Sequence, residues 1–334
     1  RECSKSNYNL NQLNGQCSVM INEYPWLRET YQPLEKNIKE HKNAHAFLIL
    51  GNSGIGRLAL AEFLSDTFLG LEESNSTEII DKIIVSPMED KKTISIDQIR
   101  SLKDSLLLTS LKGKGKVGII YPAEAMTYPA ANSLLKILEE PPKDTMIILI
   151  SESSGKLPRT IVSRSQIINC GHPNFDQTIK WLGEKEDADW ISILSVFGNR
   201  PVLLSKIGHE TLINQINSMS SQITGLIDGK IKPSEISDSW KSEDIELNLK
   251  VLYSWIFQYL EIRLLKSNDD QNLPNGLKRM LDQNIDHERC FKLMDEIIRL
   301  SELKYSGKGL SWNLHITKLL NPLFVDMSGM KEYV

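Results

Sequence analysis

The sequence has no long hydrophobic run. Its longest unbroken apolar stretches, Ala46 to Leu50 and Met146 to Ile150, are five residues each, against the roughly 20 that a membrane-spanning helix needs, so no segment is expected to cross a membrane. Net charge is small as well: 39 Lys and Arg against 43 Asp and Glu leave −4. No global basic field draws the chain onto DNA or an anionic bilayer, which excludes direct high-affinity nucleic-acid binding unless neighbouring chains supply the charge. Cysteine is scarce. Cys3, Cys17, Cys170 and Cys290 form no C-x-x-C pair and have no histidine spaced to complete a zinc site, so reduced thiols in a cytoplasmic protein are expected rather than a disulfide framework or a metal module. The 19 Gly and 13 Pro are too few for a low-complexity chain. Residues 1–19 lack both an initiating Met and the charged-then-apolar profile of a signal peptide, and are expected to be a disordered or upstream tail.

What is present is a globular pattern: 334 residues, 40% hydrophobic and 25% charged, long enough for two to three domains at about 100 to 200 residues each. Apolar residues at 27, 31, 34 and 38 mark one helical stripe. The apolar run Ala46–Leu50 then reads as a buried strand leading straight into Gly51-Asn52-Ser53-Gly54-Ile55-Gly56, with a helix from Leu58 to Leu69. Strand, glycine-rich turn and helix make the unit that can cradle a phosphate. Further strands are expected at 82–85, 117–121, 146–150 and 166–169. Between them, Ser95 with Gln98 forms a capping box for a helix that buries Ile96, Ile99, Leu102 and Leu106. Another helix, about 130–140, turns Ala131, Leu134, Leu135 and Leu138 inward and ends where Pro141 and Pro142 cannot continue it. Strands alternating with helices predict a mostly parallel sheet covered on both faces, an α/β domain over 20–169.

After Gly171-His172-Pro173 the strand signals stop. Three short helices, one capped by Asn174 with Phe175, Ile179 and Leu182 on one side and the others over 188–197 and 201–207, suggest a small lid over 170–208. Longer helices over 209–334, the clearest from Ile245 to Leu265, suggest an all-α bundle. Trp240, Trp255 and Trp312 in this half fit core packing or a subunit interface better than a ligand.

The phosphate-loop pattern G-x-x-x-x-G-K-[ST] can be laid on Gly51 to Leu58, and its failures are informative. Gly51, Gly54 and Gly56 allow the turn. Arg57 replaces the lysine and lacks the compact ammonium that reaches the phosphates, and Leu58 has no hydroxyl for Mg²⁺. The acidic pair expected after Val117-Gly118-Ile119-Ile120 is missing too: Tyr121 and Pro122 stand there, with Glu124 two residues late. Without metal ligands on either motif, hydrolysis loses its main charge stabilisation. A structural glycine turn is favoured over residual ATP or ADP binding and over an active hydrolase; no cofactor and no metal are expected. Lys112, Lys114 and Lys116 form the one notable basic cluster, read as a solvated loop with a DNA-phosphate contact as the alternative.

The segment Ala131 to Pro142, the strand at 146–150, and Leu157-Pro158-Arg159-Thr160-Ile161-Val162-Ser163-Arg164-Ser165 together resemble the clamp-loader branch of the AAA+ proteins. Tyr24-Pro25-Trp26-Leu27, the eroded nucleotide motifs and Ser306 to Asn313 are more narrowly similar to its bacterial delta-prime family. The resemblance implies an AAA+ type α/β domain, a helical lid, and a helical collar that joins five subunits. It further implies a noncatalytic stator of the DNA polymerase III clamp loader, partnered with gamma/tau and delta subunits, that helps load the sliding clamp onto primed DNA. By position in that family's Ser-Arg-Cys motif, Arg164, flanked by Ser163 and Ser165, would be the arginine finger given in trans to a neighbouring ATPase. A surface arginine paired with a local carboxylate is the bland alternative for Arg164, and Arg159 is its competitor as finger. Ser165 departs from the motif's Cys, and Gly70 to Lys92 carries none of the four zinc cysteines many relatives have there, so zinc is not expected; the acidic stretch Glu72 to Glu78 reads as a solvated loop. The rival functional readings are an active gamma/tau-type ATPase and a helical scaffold with a vestigial α/β domain.

Overall fold

The computed structural model describes residues 23–40, 44–71, 81–89, 91–110, 114–183, 187–265, 273–283, 285–306 and 311–323. The tail, the acidic loop, Lys112 and the stretch 307–310 of the C-terminal motif lie outside the described residues. The described chain divides into two compact units, one holding the residues up to 183 together with 199–206, the other holding 187–198 and the residues from 207 on.

The first unit is built on five parallel strands, β1 (Ala46–Leu50), β2 (Lys82–Val85), β3 (Lys116–Ile120), β4 (Thr145–Ser151) and β5 (Gln166–Asn169), in the order β2-β3-β4-β1-β5. Each strand matches its expected position to within a residue. Alternate side chains along a strand point to opposite faces, and both faces are apolar. Phe47, Ile49, Val117, Ile119, Ile148 and Ile168 meet α1 (Arg28–Lys39) and α2 (Arg57–Leu69). Ala46, Leu48, Val85, Ile147 and Leu149 meet α3 (Ile96–Leu107) and α4 (Tyr128–Glu139). The capping box on α3 forms as the sequence predicts, Ser95 accepting from the Gln98 amide and Gln98 from Ser95.

A short helix, α5 (Arg159–Val162), precedes β5, and α6 (Phe175–Leu182) follows it behind an Asn174 capping box. Here the apolar stripe misleads: Phe175 is exposed, whereas Thr178 is fully buried, its hydroxyl donating to the Asn174 carbonyl. The helices expected over 170–208 divide between the units, α6 and α8 (Pro201–Ile207) within the first, α7 (Asp187–Phe197) within the second.

The second unit is all helical. Its centre is α11 (Ile245–Leu265), which buries Leu252, Trp255, Ile256 and Tyr259 completely and packs against α7, α9 (His209–Ile227), α12 (Asn275–Asp282) and α13 (His287–Ser306); α10 (Pro233–Ser239) packs on α14 (Trp312–Leu320). Tyr259 donates its hydroxyl to the Ile285 carbonyl at 2.8 Å and Trp240 its indole N–H to Gln222 at 2.9 Å, so these two aromatics keep their polar ends satisfied, whereas the Trp255 indole N–H has no partner among the described residues. Trp240 and Trp255 are thus core residues, while Trp312 is half-buried.

Candidate functional site

The glycine turn after β1 forms, and other parts of the chain pack directly against it. Gly54 sits at φ +83°, a left-handed conformation open to glycine. A Cβ there would lie 2.5 Å from the Cβ of Leu203 on α8. The Gly54 carbonyl accepts the Val202 amide at 3.0 Å. From the other side Trp26 donates its indole N–H to the Ile55 carbonyl at 2.7 Å, and Tyr24 packs edge-on to Trp26 and against Trp181 of α6. The carbonyls of Gly54 and Ile55 are thus taken by the chain's own α8 and N-terminal segment, which pack against the turn.

Arg57, at the first position of α2, is only 5% exposed. Its guanidinium lies over the Tyr121 ring, 6.0 Å from the centroid, and its Nη1 has no hydrogen-bond partner among the described residues. A buried guanidinium that lacks full hydrogen bonding needs counter-charge or an aromatic face. Tyr121 supplies the face. Glu152, just past β4, supplies charge: burial pushes its carboxyl up, but the hydrogen bond from Lys156 (2.7 Å) and the charges of Lys156, Arg57 and Arg200 outweigh burial and hold it below the ordinary value. Glu124 turns back from the segment after Pro122 to accept the Glu152 amide at 3.2 Å. Cys170, beside Gly51, is pushed up to about 12 by burial, with the Arg57 charge pulling the other way.

The Arg164 turn is open by contrast. Leu157 and Ile161 anchor α5 in the core, the Arg164 amide donates to the Ile161 carbonyl at 3.1 Å, and the Ser163 and Ser165 hydroxyls donate to the carbonyls of Thr160 and Ile161. A four-residue helix is thus fixed at both ends, and the side chain that leaves it, 37% exposed, carries a full charge. Its Nη2 pairs with Glu139 of α4 at 2.8 Å and its Nη1 donates to the Thr160 carbonyl at 3.1 Å. A local carboxylate partner is what the bland alternative expects. Arg159 is exposed and its side chain makes no ion pair among the described residues.

Sequence comparison spans the chain almost end to end. A Pseudomonas aeruginosa protein named DNA polymerase III subunit delta' is 29% identical over 331 residues, covering 93% of this chain and 99% of that one. The chain is similar along nearly its whole length to a DNA polymerase III delta-prime protein. A family model described as DNA polymerase III, delta subunit, matches residues 26–173, a span that includes the glycine turn, Tyr121-Pro122 and the Arg164 turn. Delta-prime proteins of Haemophilus influenzae (30% over 208 residues, 58% of this chain and 63% of that one) and Bacillus subtilis (37% over 148 residues, 40% of this chain and 44% of that one) are also similar. Among solved structures, a DNA polymerase III gamma subunit-related protein from Thermotoga maritima superposes with TM-score 0.52 at 20% identity, over 88% of this chain and 98% of that one, and shows the shared AAA+ type fold.

In the structure, Gly51, Gly54, Gly56, Arg57, Tyr121 and Pro122 come together in one cluster, with Leu58 half-buried beside it, and Ser163, Arg164 and Ser165 form a separate exposed turn. Sequence reasoning missed Glu152, Lys156 and Arg200, which reach the site through packing rather than through a motif, and missed that Glu139, within the motif, pairs with Arg164. The lysine cluster is corrected. Lys116 opens β3, is 6% exposed and faces Asp81 at 3.6 Å, so it belongs to neither a solvated loop nor a phosphate contact; Lys114 donates to the Gly70 carbonyl at 3.0 Å. Cys170 and Cys290 are free and buried, and no described helix is long and apolar enough to cross a membrane.

Proposed function

We propose that this chain is a noncatalytic delta-prime stator of the DNA polymerase III clamp loader, a cytoplasmic assembly in which it partners gamma/tau and delta subunits and helps load the sliding clamp onto primed DNA. Its own glycine loop turns over no nucleotide, and Arg164 completes the ATP site of a neighbouring gamma/tau subunit in trans. The observation that carries the reading is the contrast within the α/β unit: the loop is closed by Val202, Leu203 and Trp26 and stripped of Mg²⁺ ligands, while a permanently charged, planar guanidinium stands exposed on a short rigid turn. A rigid loop that cannot respond to nucleotide suits a fixed reference point in a ring whose other members move. For the proposed collar over 209–334, Phe257, Leu264 and Leu265 on α11 and Phe291 and Ile298 on α13 leave apolar surface available for partner helices. Of the proposed lid, 170–208, α8 packs on the glycine loop and α6 packs on Tyr24 and Trp26.

The test is DNA- and clamp-stimulated ATPase of the complex reconstituted with its own gamma/tau and delta partners. Arg164→Ala should lower the rate by about 10³ or more with assembly intact, the range of arginine fingers. Unchanged rates would leave Arg164 structural and move the role to Arg159 or another subunit. An isolated chain that hydrolyses ATP faster than about 1 s⁻¹ would favour the active-ATPase reading instead, and a chain that fails to assemble would favour the scaffold.

A further inference from the structure

Arg164 is already committed to an anion in the isolated chain. Its Nη2 lies 2.8 Å from Glu139 Oε1 and its Nη1 donates to the Thr160 carbonyl at 3.1 Å, which uses two of the five N–H donors a guanidinium carries. Glu139 is the last residue of α4, where the chain turns into Glu140-Pro141-Pro142, and its side chain is 50% exposed. Resting on the finger reading above, we propose that Glu139 is a positioning residue that parks Arg164, its carboxylate standing in for the phosphate and giving up the guanidinium when the neighbour's nucleoside triphosphate docks.

The two tethers differ in the way such an exchange needs. Thr160 offers a neutral backbone carbonyl on Arg164's own turn, so it can stay bound while the guanidinium is used and keep it in place. Glu139 comes from a different helix and competes for the same charge. An ion pair between two groups this exposed is worth little in water and is screened by salt. A polyphosphate carries more negative charge and meets the finger in a joint from which water is excluded, where charge-assisted bonds strengthen. Retaining the carboxylate there would set like charges against each other. The parked pair thus acts as a threshold: it taxes engagement of the finger without preventing it, as any competing state lowers apparent affinity by its population.

The experiment compares Glu139→Gln, Arg164→Ala and the double variant in the reconstituted complex, with initial ATPase rates measured against ATP concentration, with and without primed DNA. Glu139→Gln should lower KM for ATP about two- to fivefold, the fold-change an exposed ion pair represents, with kcat near wild type. The double variant should match Arg164→Ala alone. Glu139→Ala, which removes the side chain's polar group altogether, should shift KM in the same direction. An unchanged KM, a fall in kcat, or a KM shift that persists without Arg164 each overturns the parking role. If Arg164→Ala itself keeps the wild-type rate, the finger reading falls and the parking role with it; if only the Glu139 arms fail, the finger stands.

Discussion

Arg57 and Arg164 belong to the same α/β unit and carry the same charge, yet one is 5% exposed and the other has a side chain 37% exposed. Arg57 opens α2 and is folded beneath the glycine loop onto the Tyr121 ring, with Glu152 and Cys170 around it. Arg164 leaves a turn pinned by its own backbone and meets a single half-exposed carboxylate. The difference teaches where charge can act. A guanidinium buried beneath a loop against an aromatic face stays part of that loop's own packing, whereas one held by a weak, exchangeable pair can be offered to another molecule.

The sharpest way to break that comparison is to remove each arginine in turn from the assembled complex. Arg164→Ala should cost about 10³ or more in stimulated ATPase, whereas Arg57→Met, which keeps the aliphatic contact and removes the buried charge, should leave that ATPase at the wild-type level. Steady-state rates on the two complexes decide it. Equal losses would mean that both ends serve one nucleotide site, and the contrast between closed and open would be wrong.

A second experiment probes the closure alone. Gly54→Ala places a Cβ at φ +83°, 2.5 Å from the Leu203 Cβ, and should cost about 3 kcal/mol from backbone strain plus overpacking. Its local readout is exchange of the Val202 amide, whose acceptor is the Gly54 carbonyl; about 100-fold faster exchange is expected if the loop opens rather than the whole unit. Gly198→Ala is the control. Gly198 also has a positive φ, +74°, but an alanine methyl there would have nothing within 4 Å of it, so strain of about 1 kcal/mol is expected with the Val202 amide unchanged.

Much of this geometry is readable along the chain and some of it is not, for a physical reason. The strands announce themselves because a doubly covered parallel sheet needs apolar residues on both faces, as in Ala46–Leu50 and Met146–Ile150. Ser95-Gln98 and Asn174-Gln177 are local hydrogen-bond patterns, and both form. The glycine turn and the missing Mg²⁺ ligands are likewise local. What closes the turn is not: Val202 and Leu203 lie some 150 positions further along, and no periodicity encodes which loop a short helix will cover. Lys116 misleads because Lys-Gly-Lys-Gly-Lys looks solvated, yet the strand pairing that puts it opposite Thr145 also buries it beside Asp81. Glu139 is visible as a residue of the motif that carries the family resemblance, but its pairing with Arg164 depends on how α4 and α5 pack.

The smallest expected effect tests how dry the Arg57 end is. Burial pushes Cys170 up to about 12, against an ordinary thiol value of 9.0, even with the Arg57 charge nearby to lower it. A thiol raised on folding keeps its proton in the native state where the unfolded chain loses it, so unfolding releases a proton above pH 9. The resulting stability is complete below that pH and declines as pH climbs from about 9 towards 12, by up to about 1.4 kcal/mol per pH unit. Tyr31 is also raised by burial, so the decline of the wild type alone does not identify the thiol. Cys170→Ala removes one titrating group and leaves the others, and the difference between the two pH profiles isolates the thiol. The variant should lose stability less steeply than wild type between pH 9 and 11, measured as urea midpoints at each pH. Parallel profiles would mean that water reaches Cys170 and, with it, the space between Gly51 and Arg57, and the closed end of the comparison would have to be redrawn as a hydrated cavity.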